Sequence, residues 1–461
     1  MGITLLMGAC TFFAIYAAYG ALTQNANPRQ SNLVLPNNTG SQLVASTPIP
    51  TRAIVAQAAT ATQEVQQPPA AKTQNAAPDV KPTDAPTVGP TATLLPVDDK
   101  KFYVGIQVQE SPDFNPDNQD GWMREVAQKM NMSWFKQQVR WENVEKEKGK
   151  FDWGVLDLVM PSASKFGVKV MLSIVTAPAW AREQGVDTSK HGPPANNADY
   201  VNFVTAILKR YPNQVHAIEV WNEENLDREW MSTKGLSAAN YISLLKDTYT
   251  AVKAIDPGII VISGALSPTG GWTENDGRIS AIDDFDYLDQ MIKAGLLNYS
   301  DCVGAHHNGY NIGPSVAWDN VPPDPKASFR GPFDNPHHSW SFYSTLQTYA
   351  KKIALANGQQ KLCVTEFGWA STEDLGGSPP GFSFANDNTL DEQKQWTIEA
   401  MDNMKSWNTV WLAFIWNFNY GPQAGWATDN DNVPYSIIGK DWKFRPVYDA
   451  IIEWEKKNNP K

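Results

Sequence analysis

At 461 residues the chain is too long for one simple domain, yet it suits one large barrel with appendages. Thirty-eight Lys and Arg against 49 Asp and Glu leave a net charge of −11, which argues against a nucleic-acid partner, because such binding rests on basic contacts to phosphate. Eighteen of the residues are Trp, and flat rings of that kind serve either a core or a surface on which a sugar can stack.

The chain opens with Ile3–Leu22, ITLLMGACTFFAIYAAYGAL, twenty residues without a charge. That length spans a bilayer as a helix. It also resembles a signal peptide whose basic n-region is missing. Residues 1–26 are therefore read as an export signal or, in preference, an uncleaved membrane anchor. Cys10 is a weak lipidation cue, since the residues after it stay apolar. Residues 27–97 turn to Pro, Thr, Ala, Gln, Ser and Val, too poor in large apolar groups to offset the entropy of ordering. They are read as a disordered Pro/Thr/Ala-rich linker, and residues 98–461 as the folded domain. This predicts an exported protein, tethered at the cell surface or in the periplasm, or secreted if the first segment is cleaved.

Beyond residue 98, strand-like and helix-like stretches alternate. The predicted strands are 102–109, 134–140, 168–175, 215–221, 259–266, 302–307, 361–367 and 410–418. Amphipathic helices are predicted near 121–132, 153–166, 198–211, 237–255, 285–294, 340–355, 391–407 and 446–456. The strands are near-continuous apolar runs, as parallel strands covered on both faces require. Eight such units predict an α/β fold, a (β/α)8 TIM barrel whose active site lies on the loops after the strands. The competing open doubly wound sheet lacks its mark, since no GxGxxG turn follows the first strand. Of the three cysteines, Cys302 and Cys363 fall in predicted strands and read as buried thiols, with a disulfide between them as the alternative.

The polar residues at the strand ends carry the chemistry. The fourth strand breaks into Trp221-Asn222-Glu223-Glu224-Asn225, and the seventh, KLCVTEFGW, delivers Glu366. Two carboxylates facing one cleft are what glycosidic bond cleavage needs, one to protonate the leaving oxygen and one to attack or to activate water. Glu223 and Glu224 are adjacent, so their side chains are expected to diverge, with one in the cleft. Arg140, ending the second strand, is either a surface ion pair or the cation that keeps a carboxylate ionised. Asn222 is a turn residue or a partner for a sugar 2-hydroxyl. Of His306 and His307 one is expected to face the cleft; no carboxylate lies at ligand spacing, so no metal is expected. Tyr310 packs in its loop or bonds the nucleophile, and Trp416 is core or a sugar platform. The long loops after strands six, seven and eight, with Trp318, Trp369 and Trp426, are expected to shape the groove.

These motifs resemble the clan A glycoside hydrolases, retaining (β/α)8 glycosidases, and within them families 5 and 39. WNEEN resembles the clan's WNEPN motif, which implies that Glu223 is the acid/base. VTEFGW resembles the motif that carries the nucleophile, implying that role for Glu366. Arg140, His306, Tyr310 and Trp416 match the clan's Arg, His, Tyr and Trp, while TAPAWA (with Trp180) and RWENVEKEKGKFDW resemble its third- and second-strand signatures. The resemblance covers about residues 101–457. It departs at Glu224, where the clan has Pro, and at Tyr310, which lies further after His306 than expected. It implies double displacement on a β-linked polysaccharide or oligosaccharide, a monomeric catalytic domain, and no cofactor. Arg140 and Tyr310 are then expected to keep Glu366 charged, while burial near Glu366 raises the Glu223 pKa. Substrate contacts are expected from Arg140, Trp180, Asn222, His306, Tyr310, Trp369, Trp416 and Trp426. The alternatives are a non-catalytic carbohydrate-binding barrel and a transglycosylase that remodels surface glycan.

Overall fold

The computed structural model describes residues 94, 96–110, 113–327 and 337–460. The predicted anchor, nearly all of the predicted linker, and Arg330 of the loop after the sixth strand lie outside the described residues. Among the described residues no helix is long and apolar enough to cross a membrane.

Eight parallel strands form one sheet: β1 (Tyr103–Gln107), β2 (Trp134–Arg140), β3 (Lys169–Val175), β4 (Val215–Val220), β5 (Ile260–Ser263), β6 (Val303–Gly309), β7 (Leu362–Trp369) and β8 (Val410–Ile415). Each neighbours the next in chain order, and β8 pairs with β1. The last seam, β5 to β6, is held by parallel bridges Ile262–Cys302 and Leu266–Ala305, which nearly closes the sheet into a (β/α)8 barrel. The outer helices are α1 (Pro116–Arg124), α2 (Gly154–Lys165), α3 (Asn197–Arg210), α4 (Ala238–Ile255), α5 (Asp284–Lys293), α6 (Phe342–Leu355), α7 (Leu390–Trp407) and α8 (Pro446–Asn458). A short antiparallel hairpin, Trp272–Thr273 with Ile279–Ala281, decorates the loop before α5.

Most boundaries fall within a few residues of the sequence reading, because caps mark them. Thr389 and Glu392 form a capping box on α7, and Ser237 caps α4. The largest shift is at α1, which begins at Pro116 instead of near 121. Asn115 caps it by accepting the Asp117 N–H, and Pro116 pre-sets the first helical φ. The second half of that element, Glu125–Lys129, is a π turn.

The barrel interior is layered. Its lower layer is apolar and includes Trp134, Met171, Ala217, Ile260, Leu412 and Phe414. A side chain at Gly105 would collide with Phe414 and Trp134, so only glycine lets those rings meet across the barrel. Cys302 and Cys363 lie in the same layer and form a disulfide between β6 and β7, where buried thiols had been the first expectation. Adjacent strands bring their Cα atoms to 5.8 Å, a spacing that sequence separation does not reveal.

Candidate active site

Above the apolar layer the interior becomes charged. The period of two along β2 puts Lys136 one step above Trp134, fully buried. Its Nζ donates to Glu366 Oε1 at 2.9 Å and to the Thr365 carbonyl at 3.2 Å, and stands 3.8 Å from Glu219 Oε2. Glu219, also fully buried, accepts from Thr365 Oγ1 at 2.6 Å. One ammonium thus lies between two buried carboxylates, an arrangement that stands only because each charge is paired. Sequence reasoning missed Lys136. The signal was present, since a Lys inside an otherwise buried strand needs a counter-charge.

Glu366 reaches the mouth of the barrel through a bulge in β7. Val364 pairs with Ala305 and Ala413, whereas Glu366 pairs with His306 and Phe367 with Ile415, so Thr365 is an extra residue against both neighbours. Such a bulge re-aims the side chains beside it. Here it lets Thr365 bond Glu219 inside the barrel while Glu366 faces the cleft.

Glu223 arrives from a turn, not from an extended strand end. Trp221 and Glu223 have φ of 78° and 48°, a left-handed backbone that non-glycine residues adopt at a cost. The turn is held by Glu223 N–H to the Ala265 carbonyl at 2.9 Å, and by Asn225 Nδ2 to the carbonyls of Ser267 and Ile282. Glu223 Oε2 accepts from Arg228 at 2.7 Å, and its Oε1 lies 3.4 Å from His306 Nδ1. His306 Nε2 in turn stands 3.8 Å from Glu366 Oε1. One imidazole therefore lies between the two glutamates.

Electrostatics differ from expectation at this point. Burial opposes ionisation of Glu223, but the His306 hydrogen bond and the Arg228 guanidinium outweigh it and lower its pKa to about 2, where a rise had been expected. Arg228, in the turn five residues on, was not considered from sequence. Burial also opposes protonation of His306, yet Glu366 and Glu223 on either side raise its pKa. Behind Arg228, burial raises the pKa of Glu229 to about 7.

Glu224 takes the opposite direction. It is fully buried between the ends of β4 and β5, close enough to Gly264 that a side chain there would meet its carboxyl. Neither carboxyl oxygen has a hydrogen-bond partner. Burial, with Glu219 and Glu223 adding to it, pushes its pKa well above the usual carboxylate range. A carboxyl raised in the folded state gives stability that is present below its unfolded pKa and is lost as pH rises towards the folded value. The isosteric Glu224→Gln carries no charge to bury. Its stability, read from urea unfolding at a series of pH values, is expected to decline less with rising pH, gaining about 1–3 kcal/mol over wild type at pH 8.

The cleft has a volume of about 330 Å³ and is lined by Glu223, Glu366, Asn222, Arg140, Arg228 and Trp416, among others. Asn222 Oδ1 is buried without a hydrogen-bond partner. Trp416 lies over Lys136 Nζ at 5.8 Å and packs against Tyr420. A further carboxylate at the rim, Glu110, accepts from Gln109 and Gln137. A larger groove of about 820 Å³ between α3 and α4 contains neither cleft glutamate.

Other expected contacts are placed differently. Arg140 lines the cleft but is bound to Glu142 at 2.5 Å and to the His191 ring, so Lys136 and not Arg140 pairs with Glu366. Lys136 lies deeper on the same strand face, where the Glu366 carboxylate reaches it first. His191 beside Arg140 is kept neutral, burial and that guanidinium lowering its pKa to about 4. The ring of Tyr310 packs against Trp340 and Phe384. His307, on the opposite strand face, packs edge-on against Phe342. Trp369 is core: it is buried against Phe342 and Trp396 and donates to the Ile312 carbonyl. Trp180 packs against Trp141 and donates to the Glu145 carbonyl, and Trp426 meets Trp442 and donates to the Ile438 carbonyl. None of these three indoles lines the cleft; each donates its N–H to a backbone carbonyl and packs against neighbouring rings.

Comparison with known proteins finds the same fold and a partial family match. A family model described as β-galactosidase (Glyco_hydro_42) matches residues 113–201, from just before α1 into α3. No curated protein matches the sequence. A family 39 glycoside hydrolase from the gut symbiont Bacteroides cellulosilyticus WH2 shares the fold with TM-score 0.55 and 18% identity, over 80% of this chain and 66% of that one. This chain thus spans just under two thirds of that protein's length. A GH5_18 structure from Streptomyces cattleya in complex with GlcNAc follows with TM-score 0.51 and 13% identity, over 78% and 81% of the two chains. Xylanase 10B from Thermotoga petrophila RKU-1, in complex with xylobiose, gives 0.50 and 13% over 77% and 95%. The family match is confined to residues 113–201, and what the solved structures share with this chain is the (β/α)8 barrel.

Proposed function

We propose that the chain is a retaining β-glycosidase that cleaves a β-linked polysaccharide or oligosaccharide by double displacement. The observation that carries this reading is the pair of buried glutamates, Glu223 and Glu366, on either side of His306 in one cleft. Glu366, held by Lys136, attacks the anomeric carbon, and the glycosidic C–O bond breaks as the leaving oxygen takes a proton from Glu223. Water then gives its proton to Glu223 and attacks the same carbon, which frees the Glu366 carboxylate and leaves the configuration retained.

Arg228 and His306 favour the ionised form of Glu223, and the two glutamates favour the protonated form of His306. A proton on His306 Nδ1, 3.4 Å from Glu223 Oε1, can be passed to Glu223 for delivery to the leaving oxygen. The partnerless Asn222 Oδ1 suits a sugar hydroxyl, and Trp416 suits a pyranose face. The GlcNAc and xylobiose held by similar barrels are in keeping with a sugar ligand. Export with an N-terminal membrane tether is part of the proposal. It is supported by the uncharged Ile3–Leu22 stretch and by the Cys302–Cys363 disulfide, which persists in oxidising compartments.

The test is NMR of the first product formed from β-glucans, xylans, mannans and aryl β-glycosides. The β anomer is expected first. First appearance of the α anomer would replace retention with inversion. Glycan binding without any cleavage would make the barrel a carbohydrate-binding protein, and products longer than the substrate would make it a transglycosylase.

A further inference from the structure

Asp283, His337 and His338 bring three potential metal-ligand atoms within 4.8 Å of one another, and none of the three residues lines the cleft. Asp283 caps α5: its Oδ1 accepts the N–H groups of Phe285 at 2.8 Å and Asp286 at 3.2 Å. Its Oδ2 is left facing His337 Nε2 at 3.1 Å. His337 Nδ1 accepts the Ser339 N–H at 3.3 Å and lies 2.9 Å from Ser339 Oγ, which fixes the ring; ligation through Nε2 takes the tautomer whose Nδ1–H donates to that hydroxyl. His338 Nε2 stands 3.0 Å from Asp284 Oδ1 and 3.9 Å from Asp283 Oδ1. Although consecutive, the two imidazoles lie on the same side, with centroids 4.0 Å apart. Asp284 is fully buried and positioned by Tyr349 Oη at 2.7 Å and the Thr269 N–H at 2.9 Å.

We propose that Asp283, His337 and His338 bind a zinc-class divalent transition-metal ion, which fastens the end of the β6–α6 loop to the start of α5. Two imidazole nitrogens with one carboxylate oxygen suit zinc better than calcium or magnesium, which take oxygen ligands. Bonds of about 2.0–2.1 Å in a tetrahedron place ligand atoms about 3.3 Å apart. His337 Nε2 stands 3.1 Å from Asp283 Oδ2, close to that value, whereas His338 Nε2 is 3.9 Å from the other oxygen, Oδ1, so its ring must move inwards to share one ion. Asp284 Oδ1 or a water completes four ligands. The negative charge of Asp283, Asp284 and Asp286 offsets the positive end of α5, which would otherwise repel a cation.

This is tested on the full chain without a histidine tag, stripped with chelator and dialysed against Zn2+ or Co2+. One ion per chain is expected, with a rise of about 5 °C in thermal midpoint at saturating Zn2+ and the visible absorption of tetrahedral Co2+. All three signals should vanish in Asp283→Asn/His337→Gln, where Asn keeps an oxygen to cap the helix. His337→Gln alone should lose most of the affinity, which covers the case of a double variant that fails to fold. His306→Gln should bind as wild type does. No uptake by wild type, uptake that persists in the variants, or loss only in His306→Gln would overturn the site.

Discussion

Glu366→Ala is expected to lower kcat/KM on a β-glycan by about 10⁴-fold or more, because it removes the proposed nucleophile, the carboxylate that Lys136 holds in the cleft. Glu223→Ala is expected to lose about 10²–10⁴-fold on the same substrate, and much less on an aryl β-glycoside whose leaving group needs no proton. Azide should restore turnover of the aryl substrate in Glu223→Ala and yield the β-glycosyl azide, since a small anion can resolve the intermediate without a base. The two variants therefore separate the roles by leaving-group dependence and rescue, not by loss alone. Equal activity in wild type and both variants would remove Glu223 and Glu366 from the chemistry. The geometry behind the prediction is compact: Lys136 to Glu366 at 2.9 Å, Glu366 to His306 at 3.8 Å, and His306 to Glu223 at 3.4 Å.

The second large effect is expected at Lys136, which does not itself line the cleft but holds Glu366 from beneath. Lys136→Met keeps the length and removes the charge, leaving Glu366 and Glu219 buried together without a counter-ion. Breaking a buried pair from one side costs about 3–5 kcal/mol, so urea unfolding should move to a clearly lower midpoint. In the folded fraction, one of the two carboxylates must take a proton before the other can stay ionised. The acid limb of kcat/KM is therefore expected to move to higher pH, with kcat falling by about 10²-fold at neutral pH. Lys136→Arg, which keeps the cation, should recover part of the pH profile even if packing suffers. A Lys136→Met protein with wild-type stability and an unmoved acid limb would show that the ammonium has no hold on Glu366.

Local sequence determined the architecture. Eight apolar runs separated by amphipathic stretches can satisfy their burial in few ways, and a parallel barrel sheathed by helices is one of them. The same alternation placed Glu223 and Glu366 near the C-terminal ends of strands, where such barrels gather polar residues, so their neighbourhood was legible in the sequence. Helix starts were legible where Ser, Thr or Asp could accept a free N–H, as at Ser237, Asp283 and Thr389, or where Pro removes one, as at Pro446.

What only the tertiary structure decided was which charges meet. Lys136 and Glu366 are 230 residues apart, and Glu219 and Thr365 are 146 apart, so no local pattern pairs them. The bulge at Thr365 shifts the register of β7 by one residue and thereby aims Glu366 at the cleft, which strict alternation could not show. The left-handed backbone at Glu223 sends it to the cleft while Glu224 turns into the core. The pKa of a carboxyl depends on that direction: beside Arg228 and His306 one glutamate stays ionised, while in an apolar pocket its neighbour takes up a proton. The tryptophans divide for the same reason. Trp416 ends on the open side of β8 and faces the cleft, whereas Trp369, the last residue of β7, is enclosed by α6 and α7 and serves the core.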